Sequence, residues 1–249
     1  MDRYTDRRVL VTGATGGLGA EICRRLTAEG AVLALADLPS PALEETRAAL
    51  PGSGHVALDL DVSDEEQWRA AVARVDQKLG GLDVLVNNAA IGSIGTVEDE
   101  EREHWDRVMS VDATGVWLGM KHAGPLIERT GGGAIVNVAS ILGSTGGLGN
   151  SVAYHAAKGA VRTMTKNAAI HWATRGVRVN SLHPGFIETP QLLERYAGSE
   201  RHRAMLANTP MGRLGRPEEI AGAVAFLGSD DAGYLTGTEL YADGGWTAR

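Results

Sequence analysis

Segments with the length and composition of buried strands alternate with helical segments along the whole chain. The first strand-like run, residues 9–12, is continuous in Val, Leu and Thr, which is typical of a parallel strand covered on both faces. Further strand-like runs lie at 31–36, 56–60, 82–86, 134–138, 177–182 and 239–241, and helical segments lie at 18–29, 41–50, 64–79, 103–129, 152–174 and 218–227. The alternation predicts an α/β fold, a doubly wound parallel sheet with helices on both faces, that forms a single domain over residues 1–249.

The composition limits the partners and the compartment. Because 24 Lys and Arg residues stand against 31 Asp and Glu, the formal net charge is −7, which argues against a nucleic-acid partner. A single cysteine, Cys23, excludes an intrachain disulfide and a cysteine-based zinc site. Residues 1–8 lack the apolar core of a signal peptide, and no run approaches the roughly 20 apolar residues that span a bilayer. We therefore expect a cytoplasmic protein without a nucleic-acid or membrane partner.

A glycine-rich turn, TGATGGLG at residues 12–19, separates the first predicted strand from the first predicted helix. Glycines at this place let the backbone approach a pyrophosphate at the positive N-terminus of the helix. By itself the turn is also compatible with tight packing alone, because such motifs occur by chance. The candidate cofactor-binding residues of this turn are Gly13, Thr15, Gly17, Leu18 and Gly19.

Asp37 stands at the end of the second predicted strand, eighteen residues after Gly19. A carboxylate at this place can accept hydrogen bonds from the ribose hydroxyls of a dinucleotide. It would repel the 2′-phosphate of NADP, and neither Thr15 nor Leu38 supplies a compensating positive charge. The alternative is an ordinary solvated residue at a strand end. The pattern favours NAD as the cofactor, with Asp37 and Leu38 in its binding site.

Tyr154 and Lys158 lie four residues apart on a predicted helix, so their side chains share one face. Ser140 ends the preceding strand at its carboxyl edge, where open α/β sheets bind ligands. A positive charge beside a phenol lowers its high pKa toward the range useful for acid-base catalysis. A chance pair on a solvated helix face is the alternative. The sequence has no His-x-x-x-His or His-Glu-x-x-His motif, so we expect no metal in this site.

The order of these motifs resembles that of the short-chain dehydrogenase/reductase family over essentially the whole chain. The shared motifs are Thr12-Gly-x-x-x-Gly-x-Gly19, Asp61-Val62, Asn87-Asn88-Ala89, Ser140, Tyr154-x-x-x-Lys158 and Pro184-Gly185. Segments near 180–185, 208–213 and 235–247 are most similar to the bacterial NAD-dependent hydroxysteroid and alicyclic alcohol dehydrogenases. The resemblance implies a Rossmann-like fold and an oxidoreductase.

The resemblance also implies roles for individual residues. The cofactor-binding residues it adds are Asp61 and Val62 at the adenine, Asn87 and Ala89 on the adenosine side, Lys158 at the nicotinamide ribose, and Pro184, Ile187 and Thr189 near the carboxamide, together with Asn88, Tyr154 and Gly185. The catalytic residues it implies are Ser140, Tyr154 and Lys158, with Tyr154 as the acid-base. A homotetramer is also implied, with Trp246 near a subunit contact.

Two positions depart from the family's pattern. Ala90 stands where the family usually has Gly, and it adds only one methyl group. Asp112 stands where the family's catalytic Asn completes a water-mediated proton relay to the lysine, so Asp112 is a fourth catalytic candidate. A purely structural hydrogen bond of Asp112 is the alternative, because Asp side chains often bind local backbone.

Residues 186–216 follow the Pro184-Gly185 turn and have no clear period. An insertion of about thirty residues in a compact domain usually has a function. We expect a mobile substrate lid, and its apolar residues favour a bulky, cyclic substrate; they are Leu192, Leu193, Tyr196, Met205 and Leu206.

The leading interpretation is an enzyme that transfers a hydride between NAD(H) and a hydrophobic, cyclic secondary alcohol or ketone, either a hydroxysteroid or an alicyclic alcohol. The alternative is a catalytically weak NAD-binding scaffold or sensor that has lost its proton relay at Asp112. A third interpretation, an acyl-carrier-protein ketoreductase, is disfavoured by the NAD signature at Asp37.

Overall fold

Seven parallel strands form the centre of the protein in the computed structural model, which describes residues 2–249. They are β1 (Arg8–Thr12), β2 (Val32–Asp37), β3 (Val56–Asp59), β4 (Val84–Asn87), β5 (Gly133–Val138), β6 (Val177–Pro184) and β7 (Glu239–Ala242). Their order across the sheet is β3-β2-β1-β4-β5-β6-β7, so the winding reverses between β1 and β4. The predicted doubly wound parallel sheet is confirmed.

Helices cover both faces of this sheet. They are α1 (Gly17–Ala28), α2 (Pro41–Ala49), α3 (Glu65–Leu79), α4 (Arg102–Met109), α5 (Gly115–Thr130), α6 (Val152–Trp172), α7 (Pro190–Tyr196), α8 (Glu200–Asn208) and α9 (Pro217–Gly228). One apolar layer joins α3, α5 and α6 to Leu10 and Leu85, and the other joins α1 and α9 to Val11 and Val86. Successive strand side chains point to opposite faces, so continuous apolar runs supply both layers. Across residues 2–249, every helix is too short or too polar to cross a membrane.

The helix predicted at 103–129 is not one regular helix, and this prediction was wrong in its interior. A π-helical turn, Ser110–Thr114, joins α4 to α5 and holds Asp112 in the buried interior. Such a turn shifts the helical period locally and is often found at functional sites. The spacing of the apolar residues could not reveal it.

The segment 186–216 contains two short helices, α7 and α8, which the sequence analysis did not predict. Its two ends meet, because Ile187 and Gly215 form an isolated parallel bridge and the N–H of Glu188 donates to the carbonyl of Gly215 at 2.7 Å. The side chains of Thr189 and Ser199 cap the two helices. The segment therefore leaves the domain and rejoins it at one point.

Candidate active site

The carboxyl ends of the strands meet in one cavity of about 870 Å³, a size usual for ligand-binding clefts. It lies beside the point where the winding of the sheet reverses, which is where open parallel sheets bind ligands. The site residues predicted from the sequence that line it are Gly13, Thr15, Gly17, Leu18, Gly19, Asp37, Leu38, Asp61, Val62, Asn88, Ala89, Ser140, Tyr154, Lys158, Pro184, Gly185, Ile187 and Thr189. The two remaining predicted residues, Asn87 and Asp112, lie behind this wall.

The glycine-rich turn forms a cradle on one side of the cavity. A side chain at Gly19 would overlap the carbonyl oxygen of Gly13, and Gly13 itself has a φ of 65°. Helix α1 begins after Gly16 without a side-chain cap and has no acidic residue in its first turn. Its backbone N–H groups and the positive end of its dipole are therefore free to hold an anion. These residues fit the pyrophosphate of a dinucleotide.

Asp37 ends β2 beside this cradle. Its Oδ2 accepts hydrogen bonds from the N–H of Thr15 at 2.8 Å and from the Thr15 hydroxyl at 2.6 Å, and its Oδ1 accepts the N–H of Leu38 at 2.8 Å. These bonds fix the carboxylate in the cavity wall. An ionised carboxylate has about four acceptor sites, so the free site on Oδ1 can accept one ribose hydroxyl, and a second hydroxyl could replace that of Thr15 on Oδ2.

Asn87 and Asn88 take different places, and Asn87, which the resemblance places on the adenosine side, does not line the cavity. The Nδ2 of Asn87 donates to Oδ1 of Asn137 at 2.8 Å inside the core. The Nδ2 of Asn88 instead donates to the carbonyls of Thr12 and Gly13, at 3.0 and 3.1 Å, and so fixes the cradle. Asn87 is the last residue of β4 and Asn88 follows the strand, and of the two only Asn88 lines the cavity.

Ser140, Tyr154 and Lys158 meet on the other side of the cavity, at β5 and α6. The Nζ of buried Lys158 lies 5.4 Å from the centre of the Tyr154 ring and donates to the carbonyl of Val138 at 3.1 Å. The Oγ of Ser140 accepts a backbone N–H of the short 3-10 turn that follows it, which leaves the hydroxyl proton free to donate. That turn packs against α6, because a Cβ at Gly143 would lie 2.7 Å from the Lys158 carbonyl.

The groups around Tyr154 shift its pKa in opposite directions. Burial raises the pKa of Tyr154 above its ordinary value, since it penalises the phenolate. The charge of Lys158 lowers this pKa, the charge of Asp112 raises it, and the Ser140 hydroxyl lowers it. The charge of Lys158 thus lowers the pKa of Tyr154, as predicted, but without a bound cofactor the effect of burial is larger.

Asp112 makes a structural hydrogen bond and also faces Lys158. Its Oδ1 accepts the N–H of Ile91 at 2.8 Å, which fixes the loop after β4. Its Oδ2 lies 3.5 Å from the Nζ of Lys158 and meets no hydrogen-bond partner among residues 2–249. Burial raises the pKa of Asp112, and the charge of Lys158 opposes that increase.

Two further residues near the site were not predicted from the sequence. The ring of His183, buried in β6, places its Nδ1 3.0 Å from the Ser140 carbonyl, and burial lowers the pKa of His183. A donated Nδ1 proton would fix the backbone of Ser140; the sequence signal was its position next to Pro184 at the strand's carboxyl end. Arg201 lines the cavity from α8, a helix that the sequence pattern did not show.

The chain is similar over its whole length to known dehydrogenases. Residues 13–247 match a family model described as enoyl-(acyl carrier protein) reductase. A cyclopentanol dehydrogenase of Comamonas sp. is 40% identical and aligns over 100% of both chains. The cis-4-hydroxycyclohexanecarboxylate dehydrogenase of Sinomonas cyclohexanicum is 42% identical and aligns over 99% of both. The chain belongs to the short-chain dehydrogenase/reductase family.

A solved structure supports the same assignment. The crystal structure of levodione reductase superimposes on this short-chain dehydrogenase/reductase with a TM-score of 0.92 and 37% identity, over 98% of this chain and 99% of that chain. The family predicted from the motifs is therefore confirmed. Short-chain dehydrogenases use nicotinamide cofactors, and the relatives indicate an oxidoreductase of the alcohol dehydrogenase type with a small-molecule substrate.

Proposed function

We propose that this short-chain dehydrogenase/reductase interconverts a hydrophobic, cyclic secondary alcohol and its ketone with NAD(H) as the cofactor. The observation that carries the proposal is the convergence of Ser140, Tyr154 and Lys158 in the cavity that also contains the glycine cradle and Asp37. The cyclic alcohols in the names of the Comamonas and Sinomonas relatives support an alicyclic ring rather than a linear substrate.

NAD is proposed over NADP because of the charge at the end of β2. Thr15 and Leu38 hold the Asp37 carboxylate at the wall, and neither neighbour carries a positive charge. A 2′-phosphate at this place would meet a fixed negative charge, whereas a ribose hydroxyl would meet a hydrogen-bond acceptor.

In the proposed reaction Tyr154 is the acid-base and accepts the hydroxyl proton of the alcohol. Ser140 donates its free hydroxyl proton to the substrate oxygen and orients it. Lys158 stabilises the phenolate of Tyr154 through its charge, while the Val138 carbonyl holds the ammonium in place. The bound cofactor supplies the hydride acceptor, a positively charged nicotinamide ring, which also favours the phenolate.

An activity screen with paired cofactors tests this proposal. Purified protein is incubated with NADH or NADPH and with alicyclic, steroid and linear ketones, and the absorbance of the reduced nicotinamide is followed. We expect NADH to be consumed with cyclic ketones, and faster than NADPH. Binding of NADH without turnover of any ketone would instead support the alternative of a scaffold or sensor.

We propose that residues 186–216 form a lid over the substrate. Changes in its apolar side chains should therefore affect large substrates more than small ones. Leu192 on α7 lines the cavity, whereas Leu193 beside it does not. Leu192→Ala is expected to raise KM for large cyclic ketones by roughly fivefold to thirtyfold, because a lost Leu contact removes about 1 to 2 kcal/mol of binding. Small ketones should be less affected, and Leu193→Ala is the matched control. An equal rise in KM for large and small ketones would remove Leu192 from substrate specificity.

Replacement of Asp112 is expected to shift the pH profile of alcohol oxidation. Its charge raises the pKa of Tyr154, so Asp112→Asn should lower the limiting pKa of kcat/KM for alcohol oxidation with a modest change in the plateau. A displacement by one pH unit would correspond to about 1.4 kcal/mol. Asp106→Asn, at an exposed site on α4, is the control. An unchanged profile would show that Asp112 carries no charge that acts on Tyr154.

We also propose a homotetramer. Trp117 on α5 and Ile170 on α6 are 47% and 80% exposed, so both long helices present apolar side chains that a partner could cover. Trp246 is buried within its own chain and its ring centre lies 5.1 Å from that of Phe186, so its burial needs no subunit contact. Light scattering at micromolar concentration should give four times the mass of one chain, and a monomeric mass would contradict the proposal. The cytoplasmic location stays a prediction.

A further inference from the structure

Arg201 is an arginine in the cavity wall without an acidic partner. It lies on α8, and its polar contact within residues 2–249 is a hydrogen bond from Nη1 to Oδ1 of Asn150 at 2.7 Å. Its Nε is buried and meets no acceptor in that part of the chain. Among residues 2–249, Arg107 and Arg195 also line the cavity without an acidic partner, but both are exposed, whereas Arg201 has a buried donor without an acceptor. A buried guanidinium donor without an acceptor is unfavourable unless a ligand supplies one.

The free edge of the guanidinium has a defined shape. Since Nη1 is used by Asn150, the Nε–H and the Nη2–H beside it remain without an acceptor among the described residues, and two such parallel donors match the two oxygens of a carboxylate. Because Nε is closed to solvent, a carboxylate would meet Nη2 first and reach the Nε–H after a shift of the side chain. The flat face of the group lies over the Tyr196 ring, with Cζ 5.2 Å from the ring centre. Both contacts fix the orientation of the fork.

The position of Arg201 connects it to the catalytic side of the cavity. Asn150 lies just before α6, the helix that carries Tyr154 and Lys158. The acidic residues that line the cavity lie on the opposite side of the sheet edge, since Asp37 ends β2 and Asp61 follows β3. The pyrophosphate cradle lies at the start of α1, so the cofactor has its own anion site.

We propose that the substrate of this enzyme is a cyclic hydroxy acid whose carboxylate pairs with Arg201, a statement that rests on the cyclic-alcohol function proposed above. The hydroxyl-bearing carbon of this substrate then lies at Tyr154, and its carboxylate lies at α8. A neutral cyclic alcohol leaves the Nε of Arg201 without an acceptor and is the poorer substrate. Because Arg201 belongs to the segment 186–216, the substrate's charge also holds this segment against α6.

The test compares a neutral cyclic alcohol with two cyclic alcohols that carry a carboxylate. Oxidation of cyclohexanol and of cis- and trans-4-hydroxycyclohexanecarboxylate is measured with the wild type, Arg201→Gln and Arg203→Gln. Arg203 is an exposed residue of the same helix that bonds to the Gly198 carbonyl, and it serves as the matched control. Calorimetry of cyclohexanecarboxylate binding to the NADH complex, and of NADH binding itself, is measured in parallel.

The wild type is expected to prefer a hydroxy acid in kcat/KM, and Arg201→Gln should lower that value by about 10- to 100-fold, the range of a lost charged hydrogen bond. Cyclohexanol turnover should fall by much less, and the control should change neither. Equal losses on both substrates would make Arg201 a structural tie to Asn150 and overturn the proposal. Weaker NADH binding in Arg201→Gln would assign the residue to the cofactor and overturn it as well.

Failure of the two proposals can be told apart. Turnover of cyclohexanol without a preference for the hydroxy acids overturns the carboxylate site alone. If no cyclic alcohol is oxidised, the proposed function fails. Calorimetry then shows whether Arg201 still binds a carboxylate. Binding of cyclohexanecarboxylate that Arg201→Gln removes supports the carboxylate site, and absence of binding to the wild type overturns it.

Discussion

Tyr154→Phe is expected to lower kcat for alcohol oxidation by about a hundredfold to ten-thousandfold, the contribution usual for a positioned acid-base. The substitution removes only the hydroxyl group that accepts and returns the substrate proton. The ring, its packing and its distance of 5.4 Å from Lys158 Nζ are compatible with Phe. Steady-state kinetics at several pH values measures the loss.

The cofactor and a second tyrosine supply the controls for this experiment. NADH binding, followed by its fluorescence, should be nearly unchanged in Tyr154→Phe, because the glycine cradle and Asp37 are untouched. Tyr234→Phe alters a fully exposed hydroxyl and should retain full activity. A Tyr154→Phe variant that keeps more than about a tenth of the activity would show that another group transfers the proton, since a positioned acid-base contributes far more.

The second large effect is a change of cofactor. The double substitution Asp37→Ser with Leu38→Arg should shift the ratio of kcat/KM for NAD to that for NADP by about two to three orders of magnitude, because a repulsive charge is exchanged for an attractive one. The hydroxyl of Ser can still accept a bond from the N–H of Thr15, which Asp37 holds in the wild type. The measurement is the kinetics of both cofactors with one cyclic alcohol.

Asp59 offers a matched control for this charge change. It pairs with Asp37 across β2 and β3 but does not line the cavity. Asp59→Asn should therefore leave the cofactor ratio unchanged. A wild type that already uses NADPH better than NADH would contradict the proposed role of Asp37 and would favour the ketoreductase interpretation.

The sheet and most helices were predictable because their signals are local. Strands such as β2 are covered on both faces, and this strand is continuous in apolar residues from 32 to 36. Helix α6 begins at residue 152, the residue predicted for its start. The motif residues at the carboxyl edge were predictable because they lie at the ends of strand-like runs. Parallel strands bring these ends to one side of the sheet. Each of these features follows from residues that are close in sequence.

The features that were missed depend on contacts between distant segments. The π turn around Asp112 is held by the N–H of Ile91, twenty-one residues away. Helices α7 and α8 have only 7 and 9 residues, too short for a clear period, and depend on caps and on packing for stability. Only the fold shows that Arg201 meets Asn150, or that Asn88 rather than Asn87 faces the cavity.

In the proposed reaction a hydride passes directly between a cyclic alcohol and NAD. Oxidation of cyclopentanol deuterated at its hydroxyl-bearing carbon, followed by mass spectrometry of the reduced cofactor, tests this most directly. We expect the deuterium to appear in the reduced nicotinamide and Tyr154→Phe to suppress its transfer. Cyclopentanone formed without deuterium in the cofactor, or NAD bound with no alcohol oxidised, would contradict it.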